Sequence, residues 1–261
     1  MNCGFPLKLS GETDFPCMSS RRVGQGRVYV QLGPQTQIDF PEWCQALAAG
    51  RSYVSDGYAH ALEFDVEGHQ PGGEGVELEQ ARRVKVSTTV AFAPIQPRAV
   101  AYGTLEAAAG RRMSGDTVNL HAPRDTGVVE GGSRLVELIA NGQVVASQPV
   151  VADGQPHRLD FDIDVGQSCW IAVRQFPQLH TNPVNVILAD QPIRASRSSA
   201  VWCYESVRRL WRNRARFISA AERPPAKLAY EQALQTYLRI ASECQPDGTP
   251  LPSAEDMRTL P

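Results

Sequence analysis

A two-residue alternation of apolar and polar side chains runs through most of the chain from residue 51 to about residue 190. It is clearest at residues 83–90 and 157–165, where apolar side chains occupy nearly every second position. Successive side chains of a β-strand point to opposite faces, so this pattern is typical of antiparallel strands with one buried face. We therefore predict an antiparallel β-sandwich over residues 51–197.

One turn within this region is specified by a dipeptide. Asn141-Gly142 lies between two alternating segments, residues 135–140 and 144–150. Both residue types tolerate a positive φ, which the tightest hairpin turns require. The sequence therefore predicts a β-hairpin that turns at these two residues.

The spacing of apolar side chains changes to three and four residues after residue 197, as on one face of an α-helix. The first predicted helix covers about residues 198–221 and carries Trp211 on its apolar stripe, and Pro224-Pro225 breaks it. A second helix follows to residue 245, and residues 246–261 are predicted to form a flexible tail. The apolar face predicted for the second helix comprises Leu228, Ala229, Ala233, Tyr237, Ile240 and Ala241.

The first 50 residues differ from the sandwich region. Residues 5–9 predict a buried strand that ends in an acidic loop containing Glu12 and Asp14. A strand that ends in carboxylates is how α/β barrels present metal ligands to solvent. We therefore interpret residues 1–50 as the end of an α/β barrel.

A short helix is predicted at the end of this segment. Asp39 is its expected N-cap, Pro41 lies in its first turn, Glu42 would complete a capping box, and Gly50 ends it. The predicted fold class is thus α+β and mainly β. It comprises a barrel remnant, an antiparallel β-sandwich and two C-terminal helices.

Ordered blocks along residues 2–245 resemble a known family. The N-terminal blocks are Asn2-Cys3-Gly4-Phe5, Thr13-Asp14-Phe15-Pro16, Arg27-Val28-Tyr29-Val30 and Ala49-Gly50-Arg51-Ser52-Tyr53-Val54-Ser55-Asp56-Gly57. The later blocks are Glu137-Leu138-Ile139-Ala140-Asn141-Gly142, Ser168-Cys169-Trp170-Ile171-Ala172-Val173-Arg174, His180-Thr181-Asn182-Pro183-Val184, Pro192-Ile193-Arg194-Ala195-Ser196 and Ala200-Val201-Trp202-Cys203. Together they resemble the C-terminal portion of PHP-like (polymerase and histidinol phosphatase) metal-dependent hydrolases of the carbaryl-hydrolase type.

The resemblance implies a catalytic barrel in which an early H-x-H, a middle Glu and His, and a late Asp hold divalent metals that activate water. Of these ligands, only the late Asp has a counterpart here, at Asp14. The five histidines occur singly, and no H-x-H, H-x-x-x-H or C-x-x-C is present. We therefore expect either a truncated or mis-started gene or a stand-alone accessory region. In both cases the zinc, manganese or iron of the full-length family is not expected to bind this chain alone.

Two other polar segments could form a site. His60 follows Asp56 where the barrel remnant meets the sandwich, and a His in a cleft can transfer protons near neutral pH. A hydrogen-bonded structural His is the alternative. His180-Thr181-Asn182-Pro183 is open to the same two interpretations, and Glu12 is either a supporting group beside Asp14 or simply exposed.

Charge and cysteine content limit the partners. The formal net charge of −2 gives no overall basic field, so nucleic acid is not an expected partner. Five arginines crowd the first C-terminal helix, and we expect a solvated face on which Glu205 pairs with Arg209. The spacing of the six cysteines fits neither a zinc site nor a compact disulfide framework, which favours free buried thiols. The five arginines are Arg208, Arg209, Arg212, Arg214 and Arg216.

No apolar run approaches the length of a membrane span, and no signal peptide is visible, so a cytoplasmic location is expected unless an N-terminal signal has been lost. Three functional hypotheses remain. The chain is part of a hydrolase that cleaves ester, amide or phosphoester bonds of small molecules once the barrel is supplied; or a β-sandwich that binds carbohydrate or protein; or a structural module that caps or oligomerises such an enzyme.

Overall fold

The computed structural model describes residues 1–13, 24, 26–34, 37–97 and 128–252. Within them the protein is α+β and mainly β, as predicted. The three α-helices of the described residues are α1 (Phe40–Ala49), α2 (Arg197–Arg214) and α3 (Arg223–Glu243). The strands are β1 (Arg27–Val30), β2 (Ser52–Ser55), β3 (Ala59–Val66), β4 (Val76–Leu78), β5 (Arg82–Phe92), β6 (Ile95–Pro97), β7 (Val128–Glu130), β8 (Ser133–Ala140), β9 (Gln143–Val151), β10 (His157–Val165), β11 (Cys169–Gln175), β12 (Leu179–Thr181) and β13 (Val184–Leu188).

The chain divides into two compact units. The first, here called the sheet unit, contains residues 7–166 and 170–190. The second, the helical unit, contains Met1–Pro6, Gln167–Cys169 and the chain from Gln191 onward. The helical unit is therefore assembled from three separate stretches of sequence.

The sheet unit has a sandwich-like arrangement of sheets. The order β1-β2-β12-β11-β13-β4 forms the main path of an eight-stranded sheet, and β8 pairs with both β11 and β9. A three-stranded sheet has the order β10-β5-β3, and β6 pairs with β7. The pairing of β13 with β4 is parallel, whereas β1–β2, β2–β12, β11–β12, β8–β11, β8–β9, β3–β5 and β5–β10 are antiparallel.

The alternating segments form strands whose apolar side chains are buried. Strands β5 and β10 pair in unbroken register from His157↔Val90 to Val165↔Arg82. Their buried apolar side chains are Val84, Val86, Val90, Phe92, Leu159, Phe161, Ile163 and Val165. The alternation predicted these two strands correctly because only one face of the sheet is buried.

The predicted hairpin is confirmed. Strands β8 and β9 are joined by Asn141 and Gly142, whose φ angles are 51° and 84°, and Ala140 pairs with Gln143. The register of the β8–β9 pairing shifts between Leu138 and Ile139, as at a β-bulge.

The predicted strand at residues 5–9 is wrong. These residues form no regular secondary structure, and Leu7 is 57% exposed. Pro6 lies in the middle of the segment and has no backbone N–H to donate to a strand ladder. Strand β1, in contrast, does form and pairs with β2, with Tyr29 opposite Tyr53.

Helix α1 begins and ends where predicted, but without the predicted capping box. The Asp39 side chain makes no capping hydrogen bond, and Pro41, in the first turn, has no N–H for it to bind. Gly50 ends the helix in the left-handed conformation, at φ 88°. Ala46 is fully buried, whereas Trp43 is only partly buried and stacks on Phe40.

The helix boundary near Pro224-Pro225 also needs correction. Helix α2 ends at Arg214 and is followed by a short 3-10 turn at Ala215–Phe217, well before the prolines. The prolines lie in the first turn of α3, where a missing N–H costs nothing, so they begin a helix and do not break one.

The helical unit has its own apolar core. Trp211, Tyr204 and Leu234 form one buried cluster, against which Tyr230 and Ala226 pack. Leu228 and Ala229 are exposed, so the N-terminal part of the face predicted for α3 is wrong, because the helix turns Ala226 and Tyr230 toward α2 instead. Ile240 and Ala241 are buried as predicted. Across the described residues, no helix is long and apolar enough to cross a membrane.

Candidate functional site

His60 lies in an aromatic cluster built by adjacent strands. Its Nδ1 is 2.9 Å from the Tyr53 hydroxyl, and its ring meets the Tyr29 ring edge-on with centroids 4.9 Å apart. Tyr29 and Tyr53 are cross-strand partners and stack at 5.1 Å. Strands β1 and β2 thus hold the two tyrosines in register, and β3 brings His60 to them.

This environment favours the uncharged forms of the ring groups. Burial lowers the pKa of His60; the nearby Asp56 opposes this effect, and Arg27 adds to it. Burial also raises the pKa of Tyr53, so the phenol keeps its proton. We therefore assign the Tyr53 hydroxyl as donor to Nδ1 of a neutral His60.

An open cleft of about 250 Å³ lies near this cluster in the sheet unit. Asp56 and Gln178 line it, and the Gln178 side-chain amide donates to the Asp56 carboxylate at 2.8 Å. The backbone N–H of Tyr58 donates to the other carboxylate oxygen at 2.9 Å. Burial raises the pKa of Asp56 despite these hydrogen bonds. Further lining residues are Gly11, Gly26, Arg27, Val54, Ser55, Arg174, Phe176, Pro177, Leu179 and His180.

Gln178, which lines the cleft, also belongs to a buried pair of side-chain amides. Gln178 Nε2 also donates to Gln96 Oε1 at 3.0 Å, and both residues are at most 3% exposed. The remaining amide atoms, Gln178 Oε1 and Gln96 Nε2, are buried and have no hydrogen-bond partner within the part of the chain that the structure describes. An unsatisfied buried polar atom costs about 1–3 kcal/mol, so these two amide atoms are exceptions to the usual pairing of buried polar groups.

His180 lines the cleft, but His60 does not. In the β2–β12 pairing, His180 lies opposite Val54 and Thr181 lies opposite Tyr53. Adjacent residues of a strand point to opposite faces, so His180 is on the opposite face of the sheet from Tyr53 and its partner His60. The Nδ1 of His180 is 2.7 Å from the Thr181 carbonyl oxygen, and burial lowers the pKa of His180. The two histidines considered from the sequence therefore do not share one site.

Asp14, the predicted metal ligand, lies outside the described residues. Glu12 is exposed and accepts a hydrogen bond from Ser10. Among the described residues, no three or more His, Cys, Asp or Glu side chains are arranged to hold a metal ion.

The predicted pairing of Glu205 with Arg209 is wrong. Glu205 pairs with Arg208 at 3.0 Å, three residues along α2 instead of four. The Arg208 guanidinium also lies over the Tyr204 ring, which fixes it on that side of the helix. Arg209 is exposed to solvent.

Sequence reasoning missed Gln178, which lines the cleft, and its buried hydrogen-bond partner Gln96. A glutamine carries no motif, and residues 98–127, which follow the strand that holds Gln96, lie outside the described residues. Tyr29 and Tyr53 each lie in a block quoted above for its resemblance to a known family, and this was the one signal in the sequence for the tyrosine pair. Comparison with family models, curated proteins and solved structures found no match to this chain.

Proposed function

We propose that this chain is the C-terminal part of a PHP-like metal-dependent hydrolase that acts on ester, amide or phosphoester bonds of small molecules. In this proposal the catalytic metal belongs to a barrel whose H-x-H and middle ligands are not in this sequence. The chain contributes Asp14 as a late ligand and the sandwich and helices as accessory structure, and it does not hydrolyse substrate alone.

One observation carries the proposal. The blocks that resemble the family are far apart in sequence but adjacent in the sheet unit. Strand β2 pairs with β12, β12 pairs with β11, and β11 pairs with β8. Four of the blocks therefore contribute neighbouring strands of one sheet, as expected if they belong to a single accessory domain.

The experiment that tests the proposal is a chimera. The chain is joined to the N-terminal barrel of a PHP-like hydrolase that carries the H-x-H motif, and metal content and hydrolysis of an activated ester and an activated phosphoester are measured. We expect the chimera to bind zinc, manganese or iron and to hydrolyse at least one substrate, whereas the chain alone does neither.

Asp14→Asn provides the decisive variant, and Glu12→Gln is its matched control. The amide of Asn carries no charge and is a weaker ligand for a hard divalent metal. Substitution of a residue that only supports a metal ligand typically lowers activity by about 10- to 100-fold. Asp14 is proposed as a ligand itself, so we expect Asp14→Asn to lower kcat by about 100-fold or more. Glu12→Gln should stay close to the parent, and His60→Gln should reduce activity only modestly. Full activity of the Asp14→Asn chimera contradicts the ligand assignment.

A binding role for the sandwich is the second candidate function, and the cleft at Asp56 favours it. A concave site with a few convergent polar groups is typical of small-molecule binding. Under this alternative Asp14 has no special role, and the sandwich or helices could also serve oligomerisation. An inactive chimera that leaves the chain's own fold intact would favour this alternative.

A further inference from the structure

Three cysteines that are distant in sequence lie together in the helical unit. Cys3 and Cys244 are 6% and 3% exposed and belong to one apolar cluster, and Cys203 packs against that cluster. Cys203 is close enough to Cys3 to contribute to the raised pKa of the Cys3 thiol. All three are free thiols in the structure. Cys3 and Cys203 therefore share one apolar cluster although they lie far apart in the sequence.

The structure holds Cys3 in place through its neighbours. The Asn2 side chain donates to Ser199 Oγ at 3.1 Å, and the Asn2 carbonyl accepts from the Ala195 N–H at 2.9 Å. The Phe5 ring meets Tyr237 edge-on at 5.8 Å. These contacts fix the N-terminal segment on both sides of Cys3.

We propose that Cys3 and Cys203 form a redox-modification site at which a peroxide converts the two thiols to a disulfide. Cys203 is only partly buried and is therefore the thiol that peroxide reaches first. Burial and the neighbouring Cys203 raise the pKa of Cys3 to about 11, so Cys3 stays protonated at neutral pH and is not the thiol that reacts first with peroxide. This site is independent of the proposed hydrolase function.

The reaction balances in two steps. The Cys203 thiolate attacks one oxygen of hydrogen peroxide, the O–O bond breaks, hydroxide leaves, and Cys203 becomes a sulfenic acid. The Cys3 sulfur then attacks the Cys203 sulfur, the S–S bond forms, and the hydroxyl leaves as water with the proton from Cys3. The two thiols are oxidised, and one peroxide is reduced.

The disulfide would tie the N-terminal segment to α2 and close a very long loop. Cross-links of long loops restrict the unfolded chain most, so the oxidised protein should melt a few degrees higher than the reduced protein. A reducing agent should return the melting temperature to its starting value.

Peptide mapping of the full chain tests the proposal. The reduced protein is treated with stoichiometric hydrogen peroxide, alkylated, digested with trypsin and analysed by mass spectrometry without reduction. We expect a linked pair comprising the peptide that ends at Lys8 and the peptide that ends at Arg208, with the loss of two hydrogen atoms. Cys44, an exposed thiol of the described residues, provides the matched control. Cys44→Ser should leave this linkage unchanged, and Cys203→Ser should abolish it.

Each other outcome overturns the proposal. Linkage of Cys203 to Cys244 would show that the wrong partner was assigned. A disulfide between two chains through Cys44, or oxidation of Cys203 to sulfinic acid while Cys3 stays reduced, would show that Cys3 is not the resolving thiol. Cys203→Ala serves as a second variant if Cys203→Ser fails to fold, because alanine adds no polar group to the cluster.

Discussion

The half-buried polar groups of the sheet unit sit in surroundings that disfavour charge. Burial lowers the pKa of His60 and His180 and raises that of Asp56. Such shifts link protonation to folding, because the unfolded chain restores ordinary values. At the scale of the residue, the main consequence is a dependence of stability on pH.

We expect the free energy of unfolding to fall as the pH is lowered from about 7.5 to about 5.5. The unfolded histidines bind protons near their ordinary pKa of 6.5, whereas folded His60 and His180 bind them only at lower pH. The stabilisation is therefore fully present above the unfolded pKa and is lost as the pH falls toward the folded values. Asp56 has the opposite sign, since its folded pKa is raised.

The measurement is the melting temperature across that pH range for the parent and for His60→Gln and His180→Gln. Each substitution should flatten the pH dependence, whereas His69→Gln, which removes an exposed ring, serves as the control. A slope that is the same in all four proteins would mean that burial of these two imidazoles does not control the titration.

The sequence alone could identify His60 and His180 as candidate site residues, but it could not show that they lie on opposite faces of the sheet. Whether two residues share a site depends on which face of the sheet each one occupies, and that follows from the β2–β12 register. The register is set by tertiary pairing, which no local pattern encodes. The same holds for Gln178, whose buried position depends on contacts with Gln96 and Asp56.

At the scale of the element, the local sequence pattern predicted several strands and one turn correctly. The alternation in β5 and β10 and the Asn141-Gly142 turn rest on interactions within one strand pair, so the sequence was sufficient for them. Two of the wrong predictions concern segments in which proline decides the outcome. Pro6 removes a donor from a segment with strand-like alternation, and Pro224-Pro225 fits the start of a helix as readily as the end of one.

Gly142→Val should destabilise the hairpin by about 1–3 kcal/mol, because a β-branched residue at a φ of 84° is strained. Gly166→Val is the matched control, since an added Cβ there meets no atom within 4 Å and its φ is not in the left-handed region. Urea unfolding of both variants gives the comparison. Equal stabilities of the two would show that the turn does not require a positive φ.

At the scale of the whole molecule, the chain divides into two compact units. In the helical unit, Trp211 is 2% exposed and packs against Tyr230, with ring centroids 5.2 Å apart. Trp202 lies nine residues earlier on the same helix and is 70% exposed. The helical period predicted the burial of Trp211, but the sequence could not predict that residues 1–6 complete this unit, because that depends on contacts made across almost the whole chain.

Trp211→Ala should destabilise the helical unit by about 3–5 kcal/mol, the usual cost of deleting a buried aromatic side chain. Trp202→Ala changes the same residue type on the exposed face and should cost less than about 0.5 kcal/mol. Thermal unfolding followed by circular dichroism at the helical band reports both. A melting temperature that Trp211→Ala leaves unchanged would contradict the assigned packing.

The helical unit comprises Met1–Pro6, Gln167–Cys169 and the chain from Gln191 onward. This arrangement restricts which fragments of the protein can be expressed as folded units. A fragment that starts at residue 198 looks like a self-contained helical pair, yet it omits Ser196, which caps α2 by accepting from the Ser199 N–H, and the N-terminal hexapeptide as well. A purification tag that replaces the first six residues would damage an element that lies nearly two hundred positions away. A fragment designed to contain the helical unit therefore has to include residues 1–6 as well as the chain from Gln191 onward.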